Sequence, residues 1–376
     1  MKKLLILGKP RIHRERVNNT ISLGSLTRFP GLSYTPKMNI VSSRLNRYRS
    51  FPTSALNHRG EIVVAYRDAV FTGESLPLDY GEHGLHGDTY LLKYNIKRKR
   101  SSIPVKLYDH SKTGSNEQHA ILSGEGKKLY LFSRQYGGSD RIFLSISEDG
   151  GETFSPRWLA RIKEFASVAC YGRLREFQGR LIAPVYGNPA DPALYPSRLS
   201  AAWICSENDG KDWQFGGWIG RAVEGGPSFN ETAMIRLKDG GWLAVIRTGE
   251  AGYRLFYSFA GRNLKKWTPP KPLGFKGEAP ELYDLGDGRI ALTHRGVVRS
   301  GKFTWSLRIS KDQGRTWGRA RILDEYGGSR FHGGYGDINP VGGGKWMGIC
   351  YSPGPTGFPG IRGVTFRLKK WRRHGK

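Results

Sequence analysis

Short apolar runs recur along the chain, each leaving a glycine turn and each too short to make a helix of ordinary length. The copies read Arg59-Gly-Glu-Ile-Val-Val-Ala-Tyr-Arg67, Gly126-Lys-Lys-Leu-Tyr-Leu-Phe-Ser-Arg134 and Gly179-Arg-Leu-Ile-Ala-Pro-Val-Tyr186. Three more follow: Gly240-Gly-Trp-Leu-Ala-Val-Ile-Arg247, Gly288-Arg-Ile-Ala-Leu-Thr-His-Arg295 and Gly344-Lys-Trp-Met-Gly-Ile-Cys-Tyr351. Runs of this length, rich in β-branched and aromatic residues and opened by glycine, predict strands in hairpins. With Gly60, Gly126, Gly179, Gly241, Gly288 and Gly344 as markers, the intervals are 66, 53, 62, 47 and 56 residues. A period in the fifties has room for four short strands, which is one propeller blade. The pattern therefore predicts an all-β, six-bladed β-propeller with four-stranded antiparallel blades. Residues 41–376 form that single domain, and residues 1–40 are expected to supply a strand that closes the last blade on the first.

A second repeat runs in phase with the first. Ser147-Glu-Asp-Gly-Gly-Glu-Thr-Phe154 and Ser310-Lys-Asp-Gln-Gly-Arg-Thr-Trp317 share the form Ser-x-Asp-x-Gly-x-Thr-aromatic. Ser206 to Trp213 is a weaker copy, and Ser258 to Trp267 keeps mainly its ends. Physically this is a turn: the Asp carboxylate accepts backbone N–H bonds, glycine takes the φ > 0 position and the aromatic packs under the loop. These Asp-box turns argue for a fold, not for an activity.

Charge adds a second layer. Sixty Lys and Arg against 32 Asp and Glu give a net charge of +28. Such a field concentrates anions, whether acidic sugars, nucleic acid or anionic membranes. No nucleic-acid motif accompanies it, so no specific nucleic-acid partner is expected. The runs Lys97–Arg100 and Lys369–Arg373 read as solvated charge. Cys170, Cys205 and Cys350 are too scattered for a disulfide framework or a zinc site, and the histidines lack metal-ligand spacing. Neither a metal nor a cofactor is expected. The N-terminus opens like a signal peptide, but its apolar stretch covers only Leu4 to Leu7. No segment approaches the ~20 apolar residues that span a bilayer. A soluble, unprocessed chain, cytoplasmic or particle-borne, is the expectation.

The hairpin repeat also predicts where side chains converge. Residues about ten before each marker glycine and about seven after it should share one rim near the central channel. The first set is Arg49, Gln118, Tyr171, Glu231, Glu278 and Tyr335. The second is Arg67, Arg134, Tyr186, Arg247, Arg295 and Tyr351. None of the twelve slots holds Leu, Ile or Val. Five arginines at one mouth repel one another, which an anionic ligand would explain.

On the two full Asp boxes and their phasing with the sixfold hairpin, over roughly residues 40 to 370, the chain resembles the sialidase superfamily of BNR-repeat propellers. The resemblance implies a glycoside hydrolase that removes terminal sialic acid, or a related acidic sugar, with retention. It implies three arginines on the sugar carboxylate. Tyr48-Arg49-Ser-Phe-Pro52 fits the first loosely, Arg247 sixteen residues after Glu231 fits the second, and Arg295 in Thr293-His-Arg-Gly296 fits the third, with Arg299 behind it. Guanidinium suits this role because it grips a carboxylate through two parallel bonds. Arg67, Gln118 and Tyr171 complete the expected substrate-binding rim. The implied nucleophile is Tyr335 in Gly334-Tyr-Gly-Asp337, activated by Glu231. A neutral phenol can approach an anomeric carbon that carries a carboxylate, where an Asp or Glu would be repelled. The implied general acid lies within Asp68 to Asp88. Asp79 is the first choice, followed by Glu82, Asp88 and His86. A non-catalytic Asp-box propeller that binds glycans or builds a particle is the rival reading.

Overall fold

The computed structural model describes residues 37–71, 85–113, 115–136, 139–195, 197–249, 252–297 and 302–368. These residues all belong to one compact unit spanning Gly31–Lys376. Six antiparallel sheets follow one another around an axis. Blade 1 is Arg47–Leu56, Glu61–Val70 and Leu85–Asn95, with Arg100–Ser101 and Val105–Tyr108 sharing its outer place. Blade 2 is Asn116–Glu125, Lys128–Tyr136, Asp140–Ser147 and Trp158–Leu159. Blade 3 runs from Phe165–Cys170 through Arg180–Pro189 and Ser200–Ser206 to Gln214–Gly220, and Arg175–Phe177 pairs beside its inner strand. Blade 4 is Phe229–Arg236, Trp242–Thr248, Arg254–Ala260 and Lys271–Lys276. Blade 5 is Glu278–Asp284, Ile290–Val297, Phe303–Ser310 and Arg321–Tyr326. Blade 6 is Gly336–Pro340, Lys345–Pro353 and Pro359–Arg367, and Met38–Val41 forms its outermost strand. The all-β, six-bladed architecture read from the glycine period is the one observed.

The core is divided into wedges, because each strongly twisted sheet buries both faces against its neighbours. Ile121, Phe132 and Leu144 of blade 2 meet Val168, Leu181 and Ile204 of blade 3. Ile182 and Trp203 of blade 3 meet Trp242 and Ile246 of blade 4. Equivalent clusters fill the junctions of blades 4 and 5, 5 and 6, 6 and 1, and 1 and 2. Continuous apolar runs such as Ile62–Ala65 and Leu243–Ile246 are therefore buried on both sides.

The Asp boxes close the turns between third and fourth strands. Asp149 accepts the backbone N–H of Thr153 at 3.0 Å and its hydroxyl at 2.6 Å, while Ser147 Oγ accepts Gly151 N–H at 2.8 Å. Asp312, Thr316, Ser310 and Gly314 repeat the arrangement. The box glycine also presses on the preceding blade. Gly210 takes φ +77°, and a Cβ there would lie 2.2 Å from Leu144 Cδ2. At Gly314, φ +85°, it would lie 2.3 Å from Leu243 Cδ2. The repeat thus fixes how closely consecutive blades approach.

Candidate active site

In blades 1, 2, 4 and 5 the inner strand carries a bulge near its mouth end. Register shifts fall between Ser50 and Thr53, Glu117 and Ala120, Phe229 and Thr232, and Glu278 and Glu281. At each, two residues oppose one: Phe51-Pro52, Gln118-His119, Asn230-Glu231 and Ala279-Pro280. A bulge re-aims side chains and lets strands of the same repeat end differently. Phe51 and Ala279 take φ near +50°, strained for non-glycine residues and each followed by proline.

At the mouth, the bulge in blade 4 turns Glu231 onto Tyr335, whose hydroxyl donates to Glu231 Oε1 at 2.5 Å. Arg247 joins both: Nη1 lies 2.9 Å from Glu231 Oε2 and 3.1 Å from the Tyr335 hydroxyl. Its Nη2 reaches Glu278 Oε1 at 2.7 Å. Arg295 Nη1 lies 3.2 Å from Glu278 Oε2, while its Nε and Nη2 donate to the Gly333 carbonyl at 3.0 and 2.8 Å. The Arg295 guanidinium also lies 4.8 Å from the Tyr335 ring centre. Gly334 makes this approach possible, because a Cβ there would sit 2.6 Å from Arg295 Cγ. Phe51, Tyr171 and Tyr351 surround the Tyr335 ring, with centroids 5.1, 6.2 and 6.3 Å away.

Electrostatics follow from this geometry. Burial, then the Glu231 carboxylate, push the Tyr335 phenol well above its ordinary value against the pull of Arg247 and Arg295. The resting phenol is neutral. Burial tends to raise the Glu278 carboxyl, but Arg247, Arg295 and Arg330 together hold it below the usual range. Glu231 and Tyr335 form a proton acceptor and donor in contact, and Arg247 faces the oxygen on which charge would develop. Arg330, 3.9 Å from Glu278, completes the set. Three guanidiniums face two carboxylates, leaving one positive charge in excess.

The other expected residues are placed as follows. Tyr171 is buried beside Tyr335 and His119. Arg67 is buried and crosses to blade 2, donating to the Glu117 carbonyl at 2.7 Å and Asn116 Oδ1 at 3.0 Å. Gln118 is half-buried on the blade 2 bulge. Arg49 pairs with Asp68 at 3.1 Å and donates to the Ser42 carbonyl. No contact among the described residues joins it to Tyr335, and Phe51 occupies that place instead. Arg247 directs Nη1 and Nη2, and Arg295 its guanidinium, at protein acceptors, while the buried Arg247 Nε has no partner among the described residues, so a substrate carboxylate at the terminal nitrogens would have to displace Glu231, Glu278 or Gly333.

Asp79, Glu82 and Arg299 lie outside the described residues. Asp88 is buried and bonded to Lys106 Nζ at 2.8 Å, His110 N at 3.0 Å and His110 Nδ1 at 2.7 Å. Burial tends to raise its carboxyl, but these bonds more than offset that and lower it, so Asp88 is a poor proton donor. His86 packs against His110 with ring centres 5.0 Å apart. Asp88, Asp109 and His110 gather donor atoms within 4.8 Å, yet the Lys106 ammonium already sits 2.8 and 3.4 Å from the two carboxylates.

Sequence reasoning missed four residues here: Phe51, His119, Glu281 and Arg330. Pro52 and Pro280, each following a strained residue, were the available signal for the bulges. Behind Tyr335, a cavity of about 30 Å³ is lined by Phe51, His119, Tyr171, Glu281 and Asp337 among others. Asp337 accepts Thr53 Oγ1, Ser54 N and Tyr283 OH at 2.9, 2.6 and 2.9 Å, and lies 3.2 Å from Arg173. Burial first, then Asp337, push the Glu281 carboxyl up to about 7. This network joins blades 1, 3, 5 and 6 at the axis.

Residues 112–338, which are 227 of the 376, match the model of the BNR repeat-like domain. No curated protein sequence matches the chain. Among solved structures, a Dyadobacter fermentans protein of unknown function superposes with a TM-score of 0.77 at 18% identity, covering 91% of this chain and 100% of that one. Trypanosoma rangeli sialidase in complex with sialic acid gives 0.61 at 15%, covering 91% of this chain and 59% of the sialidase. Penicillium chrysogenum α-L-arabinanase with arabinobiose gives 0.60 at 15%, covering 88% and 98%. At such identities the likeness is one of fold.

Proposed function

The chain belongs to the BNR repeat-like family and has a sialidase-like propeller, and from that premise we propose that it is a retaining glycoside hydrolase acting on sialic acid or a related acidic sugar. The observation that carries this reading is the 2.5 Å contact between the Tyr335 hydroxyl and Glu231, with Arg247 bound to both. In the first step Tyr335 Oη attacks the anomeric carbon while Glu231 takes its proton. The glycosidic bond breaks, and the leaving oxygen takes a proton from a general acid, for which Asp79 is the candidate. In the second step the acid that gave up its proton takes one from water as the water oxygen attacks the anomeric carbon, the bond to Tyr335 Oη breaks, and Tyr335 recovers its proton from Glu231. Arg247 favours both steps because the phenolate oxygen carries more charge in the transition state than at rest. The reaction needs no cofactor. Arg295 and Arg330, with Arg49, Arg67, Gln118 and Tyr171 around them, form the proposed binding surface, and the excess positive charge at the mouth supports an anionic substrate.

A second reading has its own observation. The terminal nitrogens of Arg247 and the guanidinium of Arg295 are engaged by Glu231, Glu278 and Gly333, which favours a propeller that binds glycans without cutting them. Fluorogenic glycosides of sialic acid and of the neutral sugar arabinose, offered from pH 4 to 8 to wild type and Tyr335→Phe, separate the possibilities. Turnover of the sialoside that disappears in Tyr335→Phe supports the proposal. Turnover of the arabinoside alone would replace the acidic substrate with a neutral one. Sialoside binding without turnover, in folded protein, would establish the second reading.

A further inference from the structure

The turn between the third and fourth strands of blade 1 stands where blades 2 and 5 carry full Asp boxes. Glu61–Val70 runs towards the mouth and Leu85–Asn95 returns, so this turn lies on the opposite face. Instead of Ser-x-Asp-x-Gly it carries Lys97, Arg98, Lys99 and Arg100, all exposed. None of the four makes an ion pair among the described residues, and Lys99 takes φ +51° to keep the turn tight. Beside it, Arg59, Lys93, Arg98 and Arg100 line a groove of about 310 Å³ with Glu61 and Glu152. Glu152 bonds both Arg59 and Lys93, so the turn keeps its own charge.

The chain then continues through Ile103, Pro104 and Val105. Ile103 is 86% exposed and Val105 65%, the largest and second largest exposures among the large aliphatic and aromatic residues described. Single exposed apolar residues are ordinary, but two of them next to four unpaired cations form a small patch with two chemistries. A polyanionic sugar or nucleic acid would use the cations and leave Ile103 and Val105 in water. No exposed aromatic side chain stands on the turn for bases to stack on. An anionic lipid surface uses both: the headgroups attract the cations, and the interface takes the aliphatic side chains.

We propose that the basic turn and Ile103–Val105 edge of blade 1 docks on an anionic lipid surface. The mouth, at the other end of the blades, then faces away from that surface. This reading does not depend on the chemistry assigned to the mouth.

Sedimentation with phosphatidylcholine vesicles, with and without phosphatidylserine, tests it on the full chain. Wild type is expected to bind the phosphatidylserine vesicles. Replacing Lys97, Arg98, Lys99 and Arg100 with serine should weaken binding by up to about 600-fold, since each cation near such a surface contributes roughly fivefold. Ile103→Ser with Val105→Ser, which leaves the charge unchanged, should weaken it about tenfold. Serine at Lys265, Lys266, Lys271 and Lys276 of blade 4 removes the same charge elsewhere and should have little effect. Equal losses from the blade 1 and blade 4 variants would overturn the proposal in favour of net charge. So would a silent Ile103/Val105 variant, which would make the turn a general polyanion site.

Discussion

Arg247 is the group whose loss the site should tolerate least. Its side chain is 15% exposed and it separates two carboxylates that are 8% and 6% exposed. Arg247→Met keeps most of the stem but strands both anions unequally. Glu278 keeps Arg295 at 3.2 Å and Arg330 at 3.9 Å, whereas Glu231 keeps the Tyr335 hydroxyl. Breaking a buried pair by removing one partner costs about 3–5 kcal/mol, because an uncompensated charge remains. With Glu278 still served, the expected loss is about 3 kcal/mol, at the lower end of that range. Arg247→Met/Glu231→Gln replaces the stranded carboxylate with a neutral amide and should recover about half of the loss or more. Urea unfolding at pH 7, followed by tryptophan fluorescence, measures all three proteins. A loss below about 1 kcal/mol for Arg247→Met, or a double variant no more stable than the single, would refute the view that Arg247 is there to neutralise the pair.

Two further outcomes follow from the axis and the Asp boxes. The Glu281 carboxyl is raised to about 7 in the folded chain against an ordinary 4.5, so the stability it contributes is fully present below about pH 4.5 and is lost as pH rises through 7. Wild type should lose roughly 3 kcal/mol over that window and Glu281→Gln should not; equal slopes in urea unfolding at pH 5 and 8 would contradict the assignment. Gly314→Ala should cost about 2–4 kcal/mol, combining left-handed strain with the clash on Leu243, while Gly342→Ala, also at φ +85° but in open space, should cost only about 1 kcal/mol. Comparable thermal shifts for the two would mean that contact between blades plays no part.

What could be read in the sequence was whatever depends on local repetition. A hairpin needs glycine where φ is positive, and an Asp box needs its Ser, Asp and Gly at fixed offsets, so six blades and their phase stood out. Glu231 and Arg247 could be paired because they stand at the two mouth ends of one hairpin, where the Asn230-Glu231 bulge directly faces Arg247. Arg49 was harder, because counting back from Gly60 passes through the Phe51-Pro52 bulge, and a slip of one residue reverses the face a side chain takes. The same slip leaves His119, and not Gln118, in ring contact with Tyr171. Arg67 and Arg295 sit one position beyond the residue that faces the bulge, and both reach across to the following blade. That arginines would be neutralised by Glu231 and Glu278 could not be seen either. Spacing shows which residues share a rim, but not which partner each one chooses.

The strand Met38–Val41 precedes blade 1 in the chain but hydrogen-bonds to Pro359–Arg367 of blade 6, pairing Met38 with Gly363. Lys37 beside it forms an ion pair with Asp324 of blade 5. A ring fastened this way cannot be completed on the ribosome until its last blade has been made. Five sheets can form in order as they emerge, while the sixth waits for a partner synthesised first. Holding two points so far apart in the chain costs on the order of 5 kcal/mol of loop entropy. The four-residue strand, the apolar cluster between blades 6 and 1 and the Asp337 bonds to Thr53 and Ser54 together act against that cost. The seam between blades 6 and 1 is therefore where this propeller should first come undone under heat, tension or a protease.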